Sequence, residues 1–309
     1  MAEVFVNLKR FEVSRKLGGI CPEENPEIWI RSVVGKTIEF GLGKSNKTHL
    51  TFFLPESLLL PAIHEMRRYP SSETKALDIG CQSVFRENIA PGGNFGAFTS
   101  NMPAAAATHF GCTWAMIGHS EERKDKFEMM AEYDPSILSD SENRRKANHA
   151  VSTLLNRAVL RALEAGLHVL LCVGETAEER GEGSFDEQKP KVIEILRSQL
   201  GIGLKDTERY HPFRQIAIGY EPRWAIGPGK TPPGADYIGF VSKYIKEEVK
   251  GQLAWEPAVV YGGGLKEENA KEIANISTID GGLIALTRFT GDIGFEPSGL
   301  KSIIDRYLE

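Results

Sequence analysis

The sequence predicts an α/β fold in which a parallel sheet closes into a (β/α)8 barrel. Eight short apolar runs recur along the chain, and several are almost continuously apolar, as is typical of parallel strands covered on both faces. Amphipathic stretches with helical spacing lie between them. Strands that alternate with helices indicate a parallel sheet. Eight such units favour a barrel, although their number alone also fits an open doubly wound sheet.

The predicted strands span residues 4–7, 49–53, 76–81, 114–118, 168–173, 215–220, 258–261 and 283–286. Apolar stripes at residues 154–163, 192–200 and 240–249 predict helices, and such stripes are usually core. Two Pro/Gly-rich pieces, residues 88–95 and 227–234, each follow a strand. We predict that both are loops at the carboxyl ends of strands, where barrel enzymes place their chemistry.

Length and charge limit the classes of protein. At roughly 150 residues per domain the chain would have about two domains, but an α/β barrel can use its whole length as one. We therefore expect a single domain over residues 1–309, with enlarged loops near residues 14–34, 83–95, 126–148 and 287–297. The net charge of −5 and the pI near 5.9 provide no broad basic surface for nucleic acid.

The cysteines and the amino terminus indicate the compartment. Cys21, Cys81, Cys112 and Cys172 lie far apart without metal-ligand or redox spacing, which predicts reduced, buried thiols and no metal. Residues 1–6 are acidic and hold an apolar run too short for a signal peptide. No stretch approaches the roughly 18 apolar residues of a membrane span. We expect a soluble, cytoplasmic protein that does not contact membranes.

Polar residues stand at the ends of the first and fourth predicted strands. Asn7 and Lys9 lie on one side of the backbone, because side chains alternate along a strand, and together could hold an anionic substrate. A lysine alone at a strand end is more often a solvated charge. His119 precedes Ser120 and Glu121, which suit the start of a helix. The imidazole could donate a hydrogen bond to a carbonyl oxygen, although a packed histidine is the simpler interpretation of His119 alone.

The sixth and seventh predicted strands end in a carboxylate and a glycine run. Glu221 leaves an apolar strand for a semi-enclosed position that suits a general base. Residues 222–233 have prolines at both ends and a glycine-rich tip, which suits a lid that moves as one piece, and the N–H of Gly227 could hold a phosphate. Gly262-Gly263-Gly264 let backbone N–H groups approach an anion, although a tight turn explains them equally well.

These pieces resemble the triosephosphate isomerase family through most of the chain. The motifs, in the family's order, are Asn7-x-Lys9, Gly96-Ala97-Phe98-Thr99, Gly118-His119-Ser120-Glu121, Cys172-Val173-Gly174-Glu175, Tyr220-Glu221-Pro222-x-Trp224-Ala225-Ile226-Gly227-x-Gly229-Lys230-Thr231 and Tyr261-Gly262-Gly263. The resemblance implies a single TIM barrel of the (β/α)8 type. It also implies a cofactor-free aldose–ketose isomerase that interconverts dihydroxyacetone phosphate and glyceraldehyde 3-phosphate through an enediolate, as in glycolysis and gluconeogenesis.

The resemblance implies a role for each catalytic residue. Glu221 would be the base that moves a proton between adjacent carbons. His119 would be the neutral electrophile that passes protons between the two substrate oxygens. Lys9 would stabilise the enediolate and attract the phosphate, with a hydrogen bond from Asn7. Glu121 would be the supporting carboxylate behind the site.

The resemblance also implies a partner. Family members are commonly homodimers in which the loop after the third strand inserts beside the partner's active site. Gln82 and Gly96-Ala97-Phe98-Thr99 resemble that loop, so Thr99 would contact the partner's Asn7. The intervening residues 83–95 are longer than usual, and we expect a kept but reshaped interface.

The phosphate end of the site departs from the family pattern. Gly264 stands where the family has a serine, and Ala285 and Leu286 stand where paired glycines hold the phosphate. Side chains there could hinder a close backbone approach. Arg288 could compensate through a bidentate contact, or it could be a surface ion-pair residue, and the lengthened loop at residues 287–297 could supply its own N–H groups.

Other departures surround an intact catalytic set. Arg223 replaces a small lid residue, Pro228 stiffens the lid tip and Glu122 stands where the family has an arginine. This pattern fits a changed sugar phosphate, so an isomerase of a four-carbon substrate of the erythrulose phosphate type is the alternative within the class. From another class, a non-catalytic paralogue would bind a phosphorylated metabolite or a protein partner, with residues 126–148 as its docking surface. A phosphate-binding barrel of other chemistry explains the glycine-rich loops but not the His–Glu–Lys set.

Overall fold

The computed structural model describes residues 1–211, 213–226 and 230–309, and its strands form a closed parallel barrel. Each strand pairs with the next along the chain, and the last pairs with the first. The strands are β1 (Ala2–Asn7), β2 (Thr48–Leu54), β3 (Leu77–Cys81), β4 (Trp114–Ile117), β5 (His168–Val173), β6 (Ile216–Tyr220), β7 (Val259–Tyr261) and β8 (Gly281–Ile284). The closed order confirms the predicted barrel and excludes the open doubly wound sheet.

Helices connect the strands and cover the outside of the barrel. They are α1 (Pro26–Glu39), α2 (Glu56–Met66), α3 (Ser71–Thr74), α4 (Ala104–Phe110), α5 (Ser120–Tyr133), α6 (Ser136–Ser139), α7 (Ser141–Glu164), α8 (Ala177–Arg180), α9 (Phe185–Gly203), α10 (Ala235–Leu253), α11 (Glu267–Ala274) and α12 (Pro297–Tyr307). Short 3₁₀ turns lie at Arg15–Leu17, Leu42–Lys44, Glu208–Tyr210 and Arg223–Ala225. In the described part of the chain, no helix is long and apolar enough to cross a bilayer. The four cysteines are free and buried, as predicted.

Every predicted strand overlaps the observed one, and the last is the one displaced at both ends by two residues. β8 begins at Gly281, two residues before the predicted start, and ends at Ile284. Two glycines open this strand because its neighbours leave no room for side chains. A Cβ on Gly281 would lie 1.9 Å from the carbonyl oxygen of Glu3, and one on Gly282 would lie 2.6 Å from Leu265. Glycines do not count as apolar residues in the pattern that predicts a strand, so the predicted strand started after them.

Residues 126–148 are mostly helical, which corrects the expectation of an enlarged loop there. They include the end of α5, all of α6 and the start of α7. Ala131, Ile137 and Ala147 form a small buried cluster between these helices. The polar composition concealed the helices because α5 buries only Arg123 and Ala131 over its length. The expected loop at residues 14–34 likewise contains the greater part of α1, which begins at Pro26.

The interior of the barrel is closed at the amino-terminal end of the strands. Glu3, Phe5 and Asn7 share one face of β1, because alternate side chains point to the same side. Phe5 packs at the middle level with other buried apolar side chains. At the level of Glu3, His49 contacts both Glu3 (Nδ1–Oε2, 3.3 Å) and Asp78 (Nε2–Oδ2, 3.1 Å). Side chains therefore fill the barrel at the levels of Glu3 and Phe5. The level of Asn7, at the carboxyl end of the strands, is where a site can form.

Candidate active site

The predicted catalytic residues come together at the carboxyl ends of the strands. A cavity of about 170 Å³ opens there, lined by residues that include Asn7, Lys9, Gln82, His119 and Glu121. They come from the ends of β1, β3 and β4, so segments more than 100 residues apart contribute to one wall. This is the end of the barrel at which the sequence predicted the chemistry.

Asn7 organises the end of β1. Its side chain is buried, and its Oδ1 accepts hydrogen bonds from the backbone N–H of Lys9 (2.9 Å) and from Nε2 of Gln82 (2.9 Å). Lys9 has a φ of 43°, in the left-handed region that a side chain disfavours. The bond to Asn7 holds the backbone of Lys9 in this conformation. The cation is thereby presented at a fixed position at the mouth of the barrel.

Gln82 has a place inside the site that the sequence did not reveal. The resemblance assigned it to the dimer loop, and its amide nitrogen also donates to the backbone carbonyl oxygens of Lys9 (2.9 Å) and Phe53 (3.3 Å). It therefore links the ends of β1, β2 and β3. Thr99, the other residue assigned to that loop, is exposed.

Lys9 and Glu121 form an ion pair at the edge of the cavity. Nζ of Lys9 lies 2.6 Å from Oε1 of Glu121, and the two side chains are 28% and 64% exposed. Although burial acts to raise it, the hydrogen bond and charge of Lys9 hold the pKa of the Glu121 carboxyl below its usual value. The carboxylate is thus ionised and keeps the ammonium group oriented beside the cavity.

His119 is the residue that caps α5 at its amino terminus. Its Nδ1 accepts a hydrogen bond from the backbone N–H of Glu121 at 3.3 Å. Because Nδ1 is the acceptor, a neutral ring carries its proton on Nε2. Nε2 lies 3.2 Å from Oε1 of Glu221, so the donor side of the imidazole points towards the carboxylate.

Glu221 follows β6 directly and is 2% exposed. Its carboxylate also accepts hydrogen bonds from the backbone N–H of Ser120 to Oε2 (2.9 Å) and from the Ser120 hydroxyl to Oε1 (3.1 Å). Gly262 after β7 leaves room for it, since a Cβ there would lie 2.7 Å from Cγ of Glu221. The geometry therefore combines a buried carboxylate, an imidazole donor and an ammonium group in one site, which suits proton transfer next to a carbonyl group.

Glu175 is a functional candidate to which the sequence assigned no role. It is fully buried and accepts hydrogen bonds from Tyr220 (3.0 Å), from Nε1 of Trp224 (2.7 Å) and from Tyr237 (2.8 Å). Burial raises the pKa of this carboxyl. Arg180 lies 3.7 Å above the Trp224 ring. The start of the predicted lid is therefore anchored to the end of β5, and a carboxylate two residues after an apolar strand was the signal for it.

Arg123 connects the ends of β4 and β5 beneath the site. This buried guanidinium donates to the carbonyl oxygens of Gly118 (2.9 Å) and Cys172 (2.9 Å) and to the hydroxyl of Ser152 (3.3 Å). Burial lowers its pKa to about 10. The guanidinium stabilises the strand ends that carry His119.

The predicted phosphate-binding residues are less closely assembled. Gly262 touches Glu221, and Gly264 has a φ of 96°, a conformation that glycine adopts readily. Gly227 lies outside the described residues, with Pro228 and Gly229. The Arg288 side chain is 39% exposed, and its guanidinium lies 3.8 Å from Glu296 and 3.9 Å from Asp292 within the same loop. The structure thus pairs Arg288 with its own loop.

The fold and the site define a (β/α)8 barrel with an acid–base centre at the carboxyl ends of its strands. The family model described as triosephosphate isomerase matches residues 43–134 and 126–292. The chain belongs to the triosephosphate isomerase family.

Individual relatives agree with this assignment. A protein named triosephosphate isomerase from Chloroherpeton thalassium is 31% identical over 215 residues, which cover 69% of this chain and 71% of that protein. One of the same name from Cupriavidus pinatubonensis is 34% identical over 192 residues, covering 61% and 66%. The crystal structure of triosephosphate isomerase from Bartonella henselae superimposes with a TM-score of 0.66 at 21% identity, over 100% of this chain and 99% of that one. The last comparison establishes the shared fold.

Proposed function

We propose that the protein is an aldose–ketose isomerase that interconverts dihydroxyacetone phosphate and glyceraldehyde 3-phosphate without a cofactor. The observation that carries the proposal is the contact between Glu221 and His119 (3.2 Å) in a site that also holds Lys9. Relatives that are about one-third identical carry the name triosephosphate isomerase. A barrel that only bound a metabolite would have no need for a carboxylate aligned with an imidazole donor.

Each residue has a chemical task in this reaction. The Glu221 carboxylate removes a proton from the carbon next to the substrate carbonyl, and electrons move onto the carbonyl oxygen. Nε2–H of His119 and the ammonium group of Lys9 stabilise the negative charge that develops there. Asn7 adds a hydrogen bond, and Glu121 orients Lys9. His119 passes the proton of the neighbouring hydroxyl group to the former carbonyl oxygen. Return of a proton from Glu221 to the adjacent carbon then completes the isomerisation, with no net loss of atoms or electrons.

The phosphate group would be held by backbone N–H groups. Gly262-Gly263-Gly264, which follow β7, would supply such groups, and we propose that Gly227, outside the described residues, adds another. Arg288 joins them only if its guanidinium leaves Asp292 and Glu296.

The site also supports proposals about assembly. Catalytic and substrate-binding residues come from the ends of strands between β1 and β7, so we propose that residues 1–309 act as a single domain. We propose a homodimer in which Thr99 contacts the partner's Asn7, because Thr99 and the tip of the loop after β3 are exposed, with Phe95 92% accessible. We place this enzyme in the cytoplasm, as its reduced cysteines suggest.

A four-carbon ketose phosphate is the second candidate substrate. Ala285 and Leu286 follow β8 as half-buried residues with side chains, at positions where the resemblance leads us to expect glycines. The loop from Thr287 to Glu296 is closed by a backbone bridge between Arg288 and Gly294. These features alter the phosphate end while leaving the catalytic end intact, which is what a longer substrate would require.

Turnover on both substrate classes tests these proposals. We expect isomerisation of dihydroxyacetone phosphate by the native chain, and a loss of at least 10²-fold in kcat for Glu221→Gln, which removes the base. Faster turnover of erythrulose phosphates would favour the second candidate. Binding of either compound without turnover would contradict the enzyme proposal and favour a metabolite-binding protein.

A further inference from the structure

Glu122 connects two segments that carry residues of the candidate active site. It lies in the first turn of α5, and its side chain is 16% exposed. Oε2 accepts a hydrogen bond from the backbone N–H of Gly118 at 2.7 Å. Oε1 accepts from the Ser83 hydroxyl at 2.7 Å and from Nζ of Lys126 at 2.9 Å. One carboxylate thus connects the end of β4 with the segment that follows β3.

Each residue that Glu122 connects is next in sequence to a residue of the active site. Gly118 precedes His119, and Ser83 follows Gln82, whose amide holds Asn7 and the backbone of Lys9. Hydrogen bonds to a charged acceptor are shorter and stronger than those between neutral groups. Glu122 therefore restrains His119 from one side and the Asn7–Lys9 turn from the other.

The backbone at both attachment points needs such a restraint. Ser83 has a φ of 83°, which is a strained conformation for a residue with a side chain. Gly118 has a φ of 79°, and glycine moves easily between backbone conformations. If the carboxylate were absent, the Ser83 hydroxyl and the Gly118 N–H would both lose their acceptor.

We propose that Glu122 is a positioning residue that sets the distance between His119 and the Lys9 ammonium group by clamping Gly118 and Ser83. The inference rests on the proposed isomerisation, for which that distance decides whether both donors reach the substrate oxygens. Lys126 balances the charge of the carboxylate, while the two shorter bonds determine the geometry. Glu122 does not touch the reacting atoms in this scheme.

The test compares Glu122→Ala, Glu122→Gln and Ser83→Ala with Glu128→Ala. Glu128 lies on the same helix, is 60% exposed and pairs with Lys124, so its variant controls for the loss of a charge. For Glu122→Ala we expect a 10- to 100-fold fall in kcat with KM within about threefold of the native value, because a misplacement of about 1 Å can cost 10²-fold. Glu122→Gln keeps an acceptor for Gly118 and should lose about tenfold or less.

Two further readouts separate positioning from general stability. Adding Ser83→Ala to Glu122→Ala should cause no further loss, because both changes break the same connection. In nuclear magnetic resonance spectra, the Gly118 amide proton should move upfield in Glu122→Ala, and the Gln82 side-chain amide and His119 ring signals should shift. Glu128→Ala should leave all of these signals and kcat unchanged.

The outcomes distinguish this inference from the proposed function. Native turnover with kcat of Glu122→Ala within twofold would overturn the positioning role and leave the isomerase intact. If the native chain turned over none of the sugar phosphates, the proposed function would fail. The spectra alone would then decide whether Glu122 positions Gln82 and His119. In that case shifted Gln82 and His119 signals support the clamp, and unshifted ones refute it. If Glu122→Ala does not fold, Glu122→Gln and Ser83→Ala decide by the same measurements.

Discussion

The charged layer at the amino-terminal end of the barrel should make stability depend on pH through His49. Its imidazole lies between Asp78 and Glu3, is 17% exposed and bonds to one carboxylate through each ring nitrogen. Hydrogen bonds to Asp78 and Glu3 raise the pKa of His49 from 6.5 to about 9. At about 1.4 kcal/mol for each pH unit, the imidazolium contributes about 3 kcal/mol to the free energy of unfolding.

The direction of the effect follows from the raised pKa in the folded state. The contribution is complete below pH 6.5, where the unfolded chain also carries the charge, and is lost as the pH rises through about 9. Burial lowers the pKa of the nearby His168, so its imidazole loses its proton at a lower pH than that of His49. The perturbation is a change from pH 6.5 to pH 10, compared between the native chain and His49→Gln.

Urea unfolding at several pH values measures this contribution. Between pH 6.5 and pH 10 the native free energy of unfolding should fall by about 3 kcal/mol more than that of His49→Gln, because other titrating groups are common to both. A matched control is His64→Gln, on the outer helix α2, which should follow the native curve. Parallel curves for native and His49→Gln would refute the reasoning.

Three further changes have expected outcomes. Glu221→Asp withdraws the carboxylate by about 1.5 Å, so kcat in a steady-state assay should fall by at least 10²-fold. A loss under fivefold would contradict the role of Glu221 as the base. Glu175→Ala leaves the buried Tyr220 and Tyr237 hydroxyls and the half-buried Trp224 indole without an acceptor, and each buried donor is worth about 1–3 kcal/mol. Urea unfolding should therefore show a loss of about 3 kcal/mol or more, and an unchanged midpoint would refute the anchor. Gly262→Ala places a Cβ 2.7 Å from Cγ of Glu221 and should lower kcat more than tenfold. A variant with the native kcat would show that the reaction does not need residue 262 to lack a side chain.

Much of the barrel could be predicted because its strands have a simple physical signature. Strands that are covered on both faces are apolar along their length, and all eight were visible for that reason. β8 was displaced because two of its residues are glycines, which are required by the close approach of Glu3 in β1 and of Leu265. The helices at residues 126–148 were missed because most of their surface is exposed, so their composition resembles that of a loop.

The candidate site was predictable where a residue lies at the end of its strand or within two residues of that end. Asn7 and Glu221 could be placed in this way, since the carboxyl ends of parallel strands meet at one end of a barrel. The contacts of Gln82 and Glu122 could not, because each depends on a partner from another strand and on the local backbone. Glu122 was visible only as a departure from the family pattern. The ion pairs of Arg288 depend on how its own loop folds back, which spacing does not reveal.

Proton exchange with solvent during turnover tests the central claim most directly. If Glu221 removes a proton and returns one to the adjacent carbon, glyceraldehyde 3-phosphate formed from dihydroxyacetone phosphate in D₂O should carry deuterium at that carbon. The native chain should give a labelled product, and Glu221→Gln should give neither label nor product above the uncatalysed level. An unlabelled product, or labelled turnover that persists in Glu221→Gln, would contradict the account.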